Sequence, residues 1–242
     1  MPTLLLVRHG RSTANTSGVL AWWTPGVQLD EHGQAQAAAL AQRLATVPVA
    51  AVVASPLERC QQTAAALLTV PGPDGPRPPV STDERIGEAR YGDWTGRTIA
   101  SLAKEPMWRT VQAHPSAAVF PGPEGEGLAQ MQHRAVQAVR EHYARVAAEH
   151  GDDAVWVAVT HGDVIKAVLA DALGMHLDLF QRITADPCSV SVVRYAPLRP
   201  FVLRMNDSGG DLAGFAPARK KGRRRKPAVA SSDAVVGGST GT

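Results

Sequence analysis

Cysteine is nearly missing from this chain: among 242 residues only Cys60 and Cys188 occur. There is no Cys-x-x-Cys pair and no zinc-type spacing. Neither a disulfide scaffold nor a structural zinc site is expected, and the two thiols read as free in a reducing cytoplasm. Long apolar runs are missing as well, none approaching the roughly 20 residues that span a bilayer. The opening stretch from Met1 to Val7 is too short for a signal-peptide core, lacks a basic lead and runs straight into Arg8 and His9. Export by that route is not expected, and the cytoplasm is the expected location. Aromatic residues are scarce at 5%, and Ala and Val fill their place as core material. Neither His-Glu-x-x-His nor Gly-x-x-x-x-Gly-Lys is present, which removes zinc-hydrolase and P-loop nucleotide-binding readings.

Charge is present but unevenly placed. The formal net charge is +3 and the pI about 9.1, which on its own invites a nucleic-acid-binding reading. Residues 216–242 hold seven of the 25 basic groups, from Arg219 to Lys226, and one of the 22 acids, Asp233. That stretch is therefore +6, and the remaining 18 basic and 21 acidic residues make 1–215 a mildly acidic body of −3. From Asp207 onward Gly, Ser and charges replace hydrophobic periodicity, so 207–242 is expected to be a disordered basic tail. Weak, non-specific contact with nucleic acid is the most such a tail would give.

Within the body, buried-strand runs alternate with longer helical patterns, the signature of an α/β architecture. Strands are expected at Leu4–Val7, Ala50–Ala54, Ala154–Val159, Ser189–Tyr195 and Phe201–Met205. Helices are expected over 31–45, from Ser55 to about Leu68, over 128–149 and over 163–173. Ser55-Pro56-Leu57-Glu58 reads as a helix start: a serine cap, proline in the first turn and a glutamate that completes a capping box. Residues 71–79 and 106–127 are broken by Pro and Gly and read as irregular, the second with possible short helices.

Two of the strands end alike. Leu4 to Val7 leads into Arg8-His9-Gly10, and Val155 to Val159 into Thr160-His161-Gly162. Residues just past the carboxyl ends of strands in an open parallel sheet are where ligands bind, and each glycine would let backbone approach one. The element at Ser55 also leaves a strand and puts Arg59 in the first turn of its helix, where anions are favoured. Two imidazoles and two guanidiniums, from His9, His161, Arg8 and Arg59, are thus expected to converge on one anion.

Four motifs in order carry a resemblance. Arg8-His9-Gly10-Arg11-Ser12-Thr13-Ala14-Asn15 resembles the first signature of the histidine phosphatase superfamily, also called phosphoglycerate mutase-like. Ser55 to Ala64, Glu88 to Gly96 and Thr160-His161-Gly162 are similar to its second, third and fourth. They span about 1–205, and within the superfamily the chain looks most like an actinobacterial subgroup of phosphomutases or phosphatases. The resemblance implies a histidine phosphatase domain over 1–206. Its fold would be a three-layer α/β sandwich, with a mostly parallel central sheet flanked by helices. It also implies roles. His9 would be the nucleophile that forms a phosphohistidine. Arg8, Arg59 and His161 would surround the non-bridging oxygens, and Asn15 and the Gly162 backbone would add hydrogen bonds. Glu88 would protonate the leaving oxygen and then deprotonate water. No metal and no cofactor are implied, because guanidinium and imidazolium charge take the place of a metal.

Glu84 is a rival acid. The Gly92-Asp93-Trp94 register favours Glu88 and leaves Glu84 as a partner for a nearby arginine. Arg11 stands where the family usually has an acid or amide. It is either a substrate-binding cation at the mouth or half of a solvent-facing salt bridge. Trp22 and Trp23 either wall the pocket or cover the core. Pro121 to Leu128 loosely matches a Pro-Gly-Gly-Glu-Ser element, with Glu126 on its acid. Residues 97–127 carry Arg97, Lys104 and Arg109 but no Arg-Arg pair of the mutase kind, which favours an open pocket and hydrolysis of a small-molecule phosphomonoester. The alternatives are a cofactor-dependent phosphomutase and a non-catalytic phosphate-binding or regulatory protein. Oligomeric state is left open, a dimer included.

Overall fold

The two strands that lead into a histidine, one residue past each strand end, lie side by side. A computed structural model describes residues 1–210 of the chain. In chain order its elements are β1 (Thr3–Arg8), α1 (Thr13–Ser17), α2 (Glu31–Arg43), β2 (Val49–Ala54), α3 (Glu58–Leu68) and β3 (Val80–Thr82). They continue with α4 (Ile99–Leu102), α5 (Pro106–Ala113), α6 (Leu128–His150), β4 (Val155–Thr160), α7 (Gly162–Ala172), β5 (Val190–Tyr195) and β6 (Pro200–Asp207). The six strands form one sheet in the order β3-β2-β4-β1-β5-β6. The pairs β3–β2, β2–β4 and β4–β1 are parallel; β5 and β6 are added antiparallel at one edge.

Alternation along the strands supplies both faces of the core. Leu4 and Leu6 of β1, with Trp156 and Ala158 of β4, pack on α6 and α7 through Met131, Val139, Val164 and Val168. Leu5 and Val7, with Val157 and Val159, point the other way, onto Leu40 of α2 and Leu67 of α3. A strand with apolar residues at every position must be covered on both faces, and that requirement gives the three-layer sandwich. The mostly parallel sheet flanked by helices is as the sequence led us to expect.

Three expectations change. β3, the short parallel edge strand, was not anticipated, since three residues after a Pro/Gly-rich loop carry no period. α3 begins at Glu58, with Leu57 at its N-cap and no side-chain cap, so Ser55 does not cap it and Pro56 precedes it. β6 runs one residue past the expected boundary at 206, to Asp207; the basic tail from 211 on lies outside the described residues. Among the described residues no helix is long and apolar enough to cross a membrane, and Cys60 and Cys188 are buried free thiols.

Candidate active site

Register brings the site together. Arg8 sits opposite Thr160 and Ala54 opposite Val159, so the next residues, His9, His161 and Ser55, emerge at one edge of the sheet. The ladder continues one step beyond the strands, with His9 N donating to Thr160 O at 3.0 Å and Ser55 N to Val159 O at 2.9 Å. The rings of His9 and His161 are 5.3 Å apart, centroid to centroid.

His9 has a defined tautomer. Its Nδ1 lies 2.7 Å from Gly10 O. A carbonyl only accepts, so Nδ1 carries the proton and Nε2 keeps its lone pair. Burial, then the Arg59 and Arg8 guanidiniums, hold the ring well below the ordinary imidazole range, so it stays neutral. Gly10 is needed for packing rather than for ligand approach: a Cβ there would stand 2.6 Å from the backbone oxygen of Gly33, which belongs to α2. Its N–H donates to Thr63 Oγ1 at 3.0 Å, and that hydroxyl donates to Arg59 O, tying α3 to the loop after His9.

Arg59, in the first turn of α3, reaches both rings. Nε donates to His9 Nε2 at 3.3 Å, Nη2 to His161 Nδ1 at 3.3 Å, and Nη1 to Trp22 O at 3.2 Å. Because His161 Nδ1 accepts, its Nε2 carries the proton and donates to Ser55 Oγ at 2.8 Å. Burial and Arg59 push His161 well below its ordinary value, so the positive charge here belongs to guanidiniums; the expected imidazolium is not part of this arrangement. Ser55, read as a helix cap, is instead the group that orients the second histidine. Arg8 is fully buried, donates Nη1 to Ala185 O at 2.7 Å and feels the carboxylates of Glu88, Asp163 and Asp186.

Glu88 is buried beside them. Its Oε1 accepts Ala89 N–H at 3.1 Å, and its Oε2 lies 3.8 Å from His161 Nδ1. Burial, then the nearby Asp163, push its pKa up to about 7, against the opposing pull of Arg59 and Arg8. Glu84 is exposed, and the neighbouring Arg85 binds Asp83 and Glu141.

His9, Arg59 and Glu88 line one cavity with Ser12, Asn15, Tyr91 and an apolar wall of Val19, Leu20, Trp22 and Ile99. Asn15 accepts Ser12 N–H and Oγ–H on its Oδ1, which closes the cap of α1 and leaves its Nδ2 as the donor for a ligand. Gly162 opens α7, where first-turn N–H groups are unpaired within the helix. Arg11 is not part of the cavity lining: it binds Asp30, the N-cap of α2, at 2.7 Å. Trp22 walls the pocket, whereas Trp23 donates Nε1 to Glu88 O at 3.4 Å. The sequence reading missed Ser55, the Trp22 carbonyl and Tyr91, whose buried hydroxyl has no hydrogen-bond partner. It also missed Arg134 of α6, which donates to Glu88 O at 3.1 Å. Of these, only the strand-end position of Ser55 was a signal.

A three-layer α/β sheet that gathers a neutral histidine, two arginines and a protonatable glutamate past the ends of parallel strands defines a phosphoryl-transfer site. The model of the histidine phosphatase superfamily, branch 1, matches residues 4–208, and the chain belongs to that superfamily. It is an enzyme of that class. It is 30% identical to a glucosyl-3-phosphoglycerate phosphatase of Mycolicibacterium vanbaalenii, over 72% of this chain and 76% of that one. It is 28% identical to a 2,3-bisphosphoglycerate-dependent phosphoglycerate mutase of Gloeobacter violaceus, over 78% of this chain and 83% of that one. Among solved structures, Bacillus stearothermophilus YhfR superposes with a TM-score of 0.74 at 27% identity, covering 86% of this chain and 98% of its own.

Proposed function

We propose that the protein hydrolyses a small-molecule phosphomonoester through a phosphohistidine on His9. The observation that carries this reading is the pairing of an unprotonated His9 Nε2 with a protonatable Glu88 across one cavity. Nε2 attacks phosphorus in line, and the phosphorus–oxygen ester bond breaks. Glu88 gives its proton to the departing oxygen, while Arg8 and Arg59 hold the non-bridging oxygens, His161, which has no N–H to spare for an anion, orients Arg59 by accepting its Nη2–H, and Asn15 and the Gly162 N–H add neutral hydrogen bonds. Glu88, now a carboxylate, takes a proton from the water that attacks the phosphohistidine. Inorganic phosphate leaves, and both residues return to their starting states.

Hydrolysis is favoured over a mutase cycle by where the remaining cations lie. Arg97 is bound to Glu105 at 2.6 Å, Lys104 and Arg109 are exposed, and none of them lines the cavity. Nothing there would hold a second phosphate of a bisphosphorylated intermediate. The test is a phosphatase screen over phosphomonoesters and phosphoglycerates with acid-quenched trapping of labelled phosphate. Wild type should release phosphate and trap label on His9; His9→Ala should lose turnover by at least about 1000-fold and trap none. Faster interconversion of phosphoglycerates than phosphate release would overturn the hydrolytic reading.

A further inference from the structure

We infer that Arg134 and Glu126 form a clamp that positions Glu88 for proton transfer, an inference that rests on the acid role proposed for Glu88. Arg134 projects from α6, and its guanidinium has five N–H donors in a rigid fork. Nη1 donates to the carbonyls of Arg85 at 2.7 Å and Gly87 at 2.9 Å. Nη2 donates to the carbonyl of Glu88 at 3.1 Å and to Glu126 Oε2 at 2.8 Å, and Nε to Glu126 Oε1 at 2.6 Å. Every donor is thus used: three on the backbone that carries the acid and two on one carboxylate. That carboxylate is fixed in turn. Glu126 Oε2 accepts Arg90 N–H at 3.1 Å, and Glu126 N donates to Arg90 O at 2.8 Å.

The segment needs this clamp because it has little regular structure of its own. Between the 3-10 turn Glu84–Ile86 and the next at Gly92–Trp94, residues 87–91 belong to no helix or named strand. Their carbonyls must find donors elsewhere, being largely buried. The α6 helix, anchored by Met131 and Ala135 in the core, supplies those donors from a rigid base. A displacement of an acid by about an ångström is enough to cost proton transfer about 100-fold. Arg134→Lys keeps the charge but offers one nitrogen in place of the fork; Glu126→Gln keeps the shape but gives up the carboxylate that orients it.

The experiment compares two esters with Arg134→Lys, Glu126→Gln and Glu88→Gln. An alkyl phosphate needs its leaving oxygen protonated, whereas p-nitrophenyl phosphate does not. In both clamp variants kcat/KM on the alkyl ester should fall about 10- to 100-fold while that on the nitrophenyl ester changes less than about threefold. Glu88→Gln should show the same selectivity, more strongly. Thermal melts establish that the clamp variants fold. Equal losses on both esters, no loss on either, or failure of both variants to fold would overturn the clamp. If Glu88→Gln itself shows no selectivity, the acid assignment falls and the clamp falls with it.

Discussion

At the scale of single residues, the site works by setting two titrations against their ordinary order. Burial and two guanidiniums keep His9 neutral, while burial and Asp163 keep Glu88 protonated to about pH 7. A nucleophile that must be unprotonated and an acid that must be protonated coexist only because the two pKa values are pushed apart in these directions. The same displacement has a thermodynamic consequence. The carboxyl of Glu88 is raised from an ordinary 4.5 to about 7 on folding, so folding favours its protonated form. That stabilisation is fully present below about pH 4.5 and is lost as pH rises through 7. The loss amounts to about 3 kcal/mol, since each tenfold change in proton affinity is worth about 1.4 kcal/mol. Glu88→Gln, which cannot ionise, should therefore be more stable than wild type at pH 8, with the advantage shrinking toward pH 4.5. Urea unfolding at pH 4.5, 6 and 8 measures this, and a pH-independent difference would contradict it. Over the same range kcat/KM of wild type on an alkyl phosphate should decline as pH passes through about 7.

At the scale of elements, chemistry is carried by the ends of β1, β2 and β4 and by the helices that follow them, and its legibility in sequence varied with how local each signal was. β1 and β4 announce themselves, because an all-apolar run that stops at Arg-His-Gly or Thr-His-Gly is a local pattern. Arg59 was legible from its place in the first turn of α3. Ser55 was misread because Ser-Pro-x-Glu is a common helix-start signal, and the competing bond, to His161 at the N-cap of α7, 106 positions away, leaves no local trace. Arg134 belongs to the same class: an arginine one position before the buried Ala135 looks like a solvated flank until the loop beneath it is known. Gly10 was assigned the right property for the wrong reason. Its missing side chain makes room for the first turns of α2, where a Cβ would meet the Gly33 carbonyl at 2.6 Å. Backbone cannot retreat as a flexible side chain can. Gly10→Ala is accordingly expected to cost about 1–3 kcal/mol, read as a lowered urea midpoint. Since Gly10 O also holds His9 Nδ1, kcat should fall with it; an unchanged midpoint would mean that α2 yields without strain.

At the scale of the whole molecule, the net charge of +3 hides two parts of opposite sign. The body of 1–215 is −3, yet the site proposed for the phosphoryl group is cationic, because Arg8 and Arg59 are buried where water cannot screen them. The stretch 216–242 carries +6 on seven basic groups, whereas the described residues gathered at the cavity all belong to the body. Catalysis and polyanion binding should therefore separate cleanly. Deleting 216–242 should leave kcat/KM on a phosphomonoester within about twofold of the full chain, because the guanidiniums proposed to do the electrostatic work, those of Arg8 and Arg59, both belong to the body. The same deletion should abolish retention on heparin or duplex DNA. In the full chain that retention should fall by about 1000-fold between 50 and 200 mM salt if six or seven cations each release a counterion. Salt titration of both activities on both chains reads the two outcomes side by side. Loss of phosphatase activity on truncation would mean that the tail contributes to the cavity or to folding. Salt-sensitive polyanion binding retained by the truncated body would mean that its acidic surface carries a basic patch of its own.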